Sequence, residues 1–212
     1  LSRKCGRPVK MQMSREEVFR ATGPGAATRV WLKVGAKSDG TITAMDARLE
    51  YEAGAFRGSP VRTGAMTMFA CYDVPHLRAV ALDVVTNKPK VAAYRAPGAP
   101  QAQFAVECAL NELALRLGID PVELRLRHAA REGSRTIYGA TFKAIGLVEC
   151  LEEARRHAHY AAPLGANQGR GVAAGFWFNA GLQSSVAVHL SENGKLLLEE
   201  GNPDIGGSRA AM

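Results

Sequence analysis

The 212-residue sequence has no apolar run of the roughly 18–20 residues that a membrane-spanning helix needs. Its opening, LSRKCGRPVK, is basic but lacks the apolar stretch of a secretory leader. Cysteine is scarce: Cys5, Cys71, Cys108 and Cys150 are far apart and form no C-x-x-C pair. That spacing argues against a disulfide or metal framework and predicts reduced thiols in or near the core, which points to the cytoplasm. Aromatic residues make up 7% of the chain, and none interleaves with its basic clusters. The net charge of +7, with clusters at Arg3, Lys4, Arg7 and Lys10 and at Arg125, Arg127 and Arg131, therefore reads as a solvated or partner-facing surface. Stacked nucleic acid would need aromatics among those charges.

General catalytic motifs are missing too. There is no phosphate-binding P-loop, and GRGVAAG (169–175) is misspaced for a dinucleotide fingerprint. No G-x-S-x-G elbow occurs. His157 and His159 lie two apart, so on a helix they cannot face one ligand and read as surface residues. His76, His128 and His189 have no carboxylate or cysteine at metal-ligand spacing, and no metal ligands are assigned.

What is present is a globular composition, 47% hydrophobic and 22% charged, sufficient for one large domain or two smaller ones. Gly6 reads as a helix C-cap and RPVKMQM (7–13) as a short strand. Ser14 and Glu17 form a capping box. Residues 29–53 read as a hairpin around Ser38-Asp39-Gly40, 54–63 as a loop and 77–86 as a strand. A helix follows Pro100, with an apolar stripe at Val106, Leu110, Leu113 and Leu117, and ends at Gly118. The next helix starts from Asp120 and Pro121, and a further one spans about 147–158. Val172–Phe178 reads as a strand, and 184–199 as a second hairpin around Asn193-Gly194. This order predicts an α+β fold of mixed sheets with antiparallel hairpins and packed helices.

Three glycine-rich stretches carry polar groups: Tyr94–Gly98, Gly175–Ser185 and Asn202–Ser208. Glycine and proline fix backbone amides in direction and let a ligand approach the main chain. The third stretch leads into a helix start, where free amides favour an anion. Together they point to a large phosphorylated cofactor.

Several motifs then fall into a recognisable order: GRPVKMQMSREEVF, Tyr72-Asp73-Val74-Pro75-His76-Leu77-Arg78, YRAPGAPQAQFAVE, GIDPVELRLRH, and an Asn-Gly hairpin leading into Gly201-Asn202-Pro203-Asp204-Ile205-Gly206. In this order the chain resembles the molybdopterin-binding large subunit of the xanthine dehydrogenase and aldehyde oxidase family, over essentially its whole length. The resemblance implies a domain of the molybdenum-cofactor-binding type, with a first molybdopterin-binding region over 1–165 and the start of a second over 166–212. It implies a molybdenum hydroxylase, an oxidoreductase acting on aldehydes or N-heterocycles. In the family a metal-bound hydroxide attacks the substrate carbon and hydride passes to a sulfido ligand. It also implies molybdopterin, in some members as the cytosine dinucleotide, and partner subunits or domains carrying iron–sulfur clusters and FAD.

The resemblance places Tyr94 and Arg95 at the active site, with Tyr94, Arg95, Ala96, Gly206, Gly207 and Ser208 against the cofactor, Glu107 as support behind the turn and Arg62 as a substrate-guiding candidate. Ala96 stands where the family more often has glycine, and Gly206-Gly207-Ser208 stands where it has Gly-Gln-Gly. The cysteine of the carbon-monoxide branch is absent from YRAPGA. The family's G-G-x-F-G segment is expected before Leu1, and its catalytic glutamate, in Gly-x-Gly-Glu, beyond Met212. The chain is accordingly expected to be an internal fragment, inactive alone. The rival reading, favoured by the missing glutamine, is a non-catalytic binding or interaction domain on the same scaffold.

Overall fold

The computed structural model describes residues 1–178 and 183–201. Helix α1 (Ser2–Cys5) ends at Gly6, whose φ of 63° supplies the left-handed cap. Helix α2 (Arg15–Ala21) opens on the expected capping box: the Glu17 amide donates to Ser14 Oγ at 3.2 Å, and the Ser14 amide donates to Glu17 Oε2 at 2.7 Å. Between them, residues 7–13 are exposed and form no strand. Their alternation suits a strand, but a strand exists only through partner hydrogen bonds, and none of the described residues supplies them.

The first hairpin forms as its pattern predicts. Strands β1 (Thr28–Ala36) and β2 (Ile42–Gly54) are antiparallel, and the Thr41 amide donates to Asp39 Oδ1 at 2.8 Å in the turn. Gly40, at φ 89°, lies so close to Ile119 that a Cβ there would come within 2.4 Å of Ile119 Cδ1. Residues 55–75 cross to strand β3 (His76–Val85), which pairs with β2 in parallel, so that β2 is central in a three-stranded mixed sheet. The crossover carries α3 (Val61–Thr67), in a region predicted as loop up to residue 63. Gly64 and two threonines hide that helix from propensity, but its Val61, Gly64 and Thr67 face is buried.

Helix α4 (Ala99–Leu117) lies across the inner face of the sheet, which supplies buried Met45, Leu49 and Tyr51 to the core. Its buried face is Ala102, Val106, Leu110 and Ala114; Leu113 and Leu117, expected on the stripe, are only half-buried. Alanine admits close approach where leucine would not. Helix α5 (Pro121–His128) starts as predicted, with the Val122 and Glu123 amides both donating to Asp120 Oδ1 at 2.9 Å. Helices α6 (Leu147–Arg156) and α7 (Ala158–Ala161) follow, and Leu151 packs with Val122 and Ala129 in a second small core.

Residues 172–178 form no strand among the described residues, contrary to the expectation for Val172–Phe178. Val172, Ala174 and Phe176 hydrogen-bond to a polar stripe on α4. The Gln103 amide group donates to Phe176 O at 2.6 Å and accepts from Phe176 N at 3.2 Å. Glu107 Oε2 accepts from Ala174 N at 2.7 Å, and Asn111 Nδ2 donates to Val172 O at 3.1 Å. The match is geometric: four helix residues rise about 6 Å, and two extended residues advance about 6.6 Å. Side chains at i, i+4 and i+8 therefore meet alternate residues of the strap.

The same Glu107 carboxylate accepts from the Tyr72 phenol and from Arg125 Nε and Nη2 at 2.9 and 2.8 Å. Arg125, expected on a solvated basic face, is instead wholly buried, whereas Arg127 and Arg131 are exposed. Its position on α5 turns it inward, where the Glu107 carboxylate and Pro121 O meet its donors. Of the four cysteines, Cys71 is buried while Cys5, Cys108 and Cys150 are exposed; all are free thiols. The three exposed ones sit on solvent-facing helix positions that spacing alone does not reveal.

The chain divides into two units, Leu1–Trp177 and Phe178–Met212. In the second, β4 (Val186–Leu190) and β5 (Leu196–Glu200) form the predicted hairpin, its turn built on Gly194 at φ 78° and on Asn193 Oδ1, which accepts from Ser191 Oγ and Lys195 N. Among the described residues no helix is long and apolar enough to cross a membrane.

Asp120 links this architecture to pH. Partial burial works to raise its pKa, but the bonds from Tyr160 (2.6 Å) and from the Glu123 and Val122 amides outweigh it and hold the carboxyl below its usual value. A depressed carboxyl contributes stability above its unfolded pKa and loses it as pH falls through the folded one. Asp120→Ala should cost about 1–2 kcal/mol at neutral pH, and the gap from the parent should close below about pH 3.9. Thermal unfolding across pH measures this; a gap that persists unchanged in acid would contradict it.

Candidate cofactor site at the start of helix α4

Three connections bring the chain to this turn. The Thr86 amide donates to Gly54 O at 3.0 Å, Ala55 to Lys88 O at 2.9 Å, and Val91 to Ala53 O at 3.2 Å, so residues 86–91 follow the end of β2. Gly54, at φ 75°, is passed so closely that a Cβ would lie 2.2 Å from Pro89 O. Glu52 receives Lys88 Nζ at 3.0 Å and Thr86 Oγ1 at 2.9 Å, bonds that hold its carboxyl below the usual range. The chain then reaches Tyr94 on a fixed heading.

Beyond Arg95 the turn is locked from beneath. Tyr51, buried on β2, donates its hydroxyl to Gly98 O at 2.8 Å; burial pushes that phenol's pKa up, so it remains a donor. Thr63 Oγ1 lies 2.5 Å from Pro97 O and 2.9 Å from Pro60 O, so its single proton is shared between the two carbonyls. Gly98 has φ 84°, and a Cβ there would come 2.1 Å from Pro60 O. Gly64 faces it across the contact, its own missing Cβ only 3.0 Å from Gly98 O. Two glycines thus let α3 and the turn meet backbone to backbone.

Above this base the lip is open. Tyr94 is 74% exposed and Arg95 is exposed as well. Ala96 adopts φ 55°, a left-handed conformation uncommon outside glycine. That is where the resemblance expects glycine, and strain of this kind concentrates at functional sites. The amides of Ala96 and Gly98 have no hydrogen-bond partner among the described residues. A cation, an aromatic and the Ala96 N–H on a rigid turn form a donor set suited to an anionic, oxygen-rich group, and so fit a pterin cofactor.

Tyr94, Arg95 and Ala96 are therefore adjacent on one lip, whereas Gly206, Gly207 and Ser208 lie outside the described residues. Glu107 is more than two helical turns further along α4, about 13 Å from the turn at 1.5 Å per residue, and serves the buried network. Arg62 is exposed beside an apolar cleft of about 430 Å³ that Tyr138, Asp83 and Met66 also line. Sequence reading missed Tyr51, Thr63 and Gly64, which hold the turn. A tyrosine in an otherwise aliphatic inward row of β2 was the one available signal.

A mixed sheet crossed by a long helix that starts at a locked, donor-bearing turn defines an α+β cofactor-binding domain of the molybdenum-enzyme type. The family model described as molybdopterin cofactor-binding domain matches residues 1–129, and the chain belongs to this molybdopterin-binding family of xanthine dehydrogenases and aldehyde oxidases. It is 37% identical over 155 residues to the xanthine dehydrogenase molybdenum-binding subunit of Escherichia coli, covering 71% of this chain and 21% of that one. It is 32% identical over 218 residues to the aldehyde oxidoreductase molybdenum-binding subunit of Escherichia coli, covering 97% of this chain and 29% of the relative. The solved aldehyde oxidoreductase of Desulfovibrio gigas superposes with a TM-score of 0.57 at 31% identity, over 63% of this chain and 15% of that one. The chain thus spans about a fifth of the length of the first of these relatives.

The lock predicts opposite effects at neighbouring positions. Gly98→Ala should lose about 2–5 kcal/mol, from the left-handed backbone and the collision with Pro60 O. Ala96→Gly should gain about 0.5–1 kcal/mol, the relief of strain less the added chain entropy. Urea unfolding reads both, and equal destabilisation by the two would refute the geometry.

Proposed function

We propose that this chain forms one wall of the active site of a molybdenum hydroxylase that oxidises an aldehyde or N-heterocycle, with Tyr94 and Arg95 at the reacting end. The observation that carries the reading is the contrast within five residues: an exposed Tyr94-Arg95 lip, with half-buried Ala96 beside it, on a Pro97-Gly98 base bonded to Tyr51 and Thr63. Bound molybdopterin supplies the two-electron oxidation of the substrate carbon. This chain's own part is to hold donors in place. The Arg95 side chain and the Ala96 amide present positive charge and N–H groups to the anionic ligands of the centre. Because the base is fixed, they need no reorganisation as charge develops. Tyr94 shapes the approach beside them. Gly206, Gly207 and Ser208 offer main-chain contacts to the cofactor from a second loop.

In this reading residues 1–165 belong to the first molybdopterin-binding region and 166–212 open the second. The strap over 172–176 then belongs to the second in sequence while lying on a helix of the first. The pterin is the plain or the cytosine dinucleotide form. Iron–sulfur and FAD-bearing subunits or domains take the electrons onward, in the cytoplasm. The charge of +7 faces solvent or these partners.

In the full-length parent, Arg95→Met should lower substrate-dependent dye reduction by about 10²-fold, the usual effect of removing one donor from such a site. Thermal unfolding of the same variant separates a loss of turnover from a loss of fold. Turnover within a factor of two of the parent would contradict the assignment.

A further inference from the structure

Among the described residues, two arginines are not exposed, Arg125 and Arg170. Arg125 has the Glu107 carboxylate. Arg170 has no carboxylate partner among the described residues: Nη2 donates to Ala162 O at 2.6 Å, and Nε is enclosed without any acceptor. A guanidinium cannot shed its proton. Withdrawing it from water without a counter-charge is unfavourable, and a bound anion removes that penalty.

The surroundings of Arg170 are chemically consistent with an anion. It lines a cleft of about 570 Å³ together with His157, His159, Tyr160, Gly169 and Gly171, within the size range of small-ligand sites. No acidic residue among those described lines the cleft. His157 Nδ1 accepts the His159 amide at 3.2 Å, which leaves the ring proton on Nε2 and makes that edge a donor. Tyr160 is held by Asp120 at 2.6 Å, so its ring is fixed in place. The amides of Gly169, Arg170 and Gly171 have no partner among the described residues. A Cβ at either glycine would meet nothing within 4 Å, so the backbone is open on that side.

We propose that this cleft, between α6–α7 and residues 169–171, binds a small phosphate-bearing molecule, its phosphoryl oxygens taken by Arg170, His157 and the 169–171 amides. At about 570 Å³ the cleft has room for an organic portion of the ligand against Tyr160. The site is separate from the turn at the start of α4 and does not depend on the molybdopterin reading.

The test uses the full-length parent holoenzyme, titrated calorimetrically with inorganic phosphate and with ribose 5-phosphate at ionic strength held constant with chloride. Saturable one-to-one binding is expected, tighter for ribose 5-phosphate. Arg170→Met should weaken both by at least about tenfold, the loss of a charge-assisted pair. His157→Asn keeps an acceptor for the His159 amide but removes the ring donor, and should weaken both by about three- to tenfold with unchanged melting. It carries the test if Arg170→Met fails to fold. Absence of saturable binding by the parent, or affinities that neither variant changes, would overturn the proposal. So would a parent structure in which an Asp or Glu side chain fills the cleft against Arg170.

Discussion

The Glu107 carboxylate takes hydrogen bonds from the Tyr72 phenol, the Arg125 guanidinium and the Ala174 amide, and so joins the crossover, α4, α5 and the strap at one buried point. Burying a carboxylate and a guanidinium costs several kcal/mol for each ion, and only a full set of partners offsets it. Here both carboxylate oxygens are occupied, and Arg125 also bonds Pro121 O. The pair shapes its neighbours. Burial, and then the Glu107 charge, push the Cys71 thiol up to about 12 and the Tyr72 phenol further, so both stay neutral. Any displacement of α4 would break several of these bonds at once, and that fixes where the helix begins.

Where α4 begins determines what the chain can present. Its first residues follow a turn that β2 and α3 grip through Tyr51 and Thr63, with two glycines removing the side chains that would hold the backbones apart. A locked base and an open lip are the arrangement that electrostatic catalysis requires, because donors that must reorganise lose much of their effect. The strain at Ala96 belongs to the same arrangement: a non-glycine residue sits at φ 55° directly before the Pro97-Gly98 base that Tyr51 and Thr63 hold.

Much of this was legible in the sequence wherever a single local pattern determined the outcome. The Asp-Gly and Asn-Gly turns, the Ser14–Glu17 box and the Asp120-Pro121 start all formed as read, since each depends on residues a few positions apart. The α+β class and the family followed from such pieces in order. Patterns that needed a distant partner were read wrongly. Residues 172–178 have a strand's alternation, but Val172, Ala174 and Phe176 bond to helix side chains 61 to 73 positions away. Arg125 looked like one of a basic trio because the carboxylate that buries it lies 18 positions earlier, on another helix. Gln103, Glu107 and Asn111 did carry a signal, a polar row at i, i+4 and i+8 on an apolar helix. That row announces a partner without naming it.

A structure of the full-length parent with molybdopterin bound measures the central claim most directly, through the distance from the Arg95 guanidinium and the Arg95 and Ala96 amide nitrogens to the nearest cofactor or metal-ligand atom. The account predicts at least one contact within hydrogen-bonding range, about 2.7–3.2 Å, with the Pro97-Gly98 base unmoved. A cofactor seated elsewhere, with water or another protein segment covering the Tyr94–Ala96 lip, would contradict it.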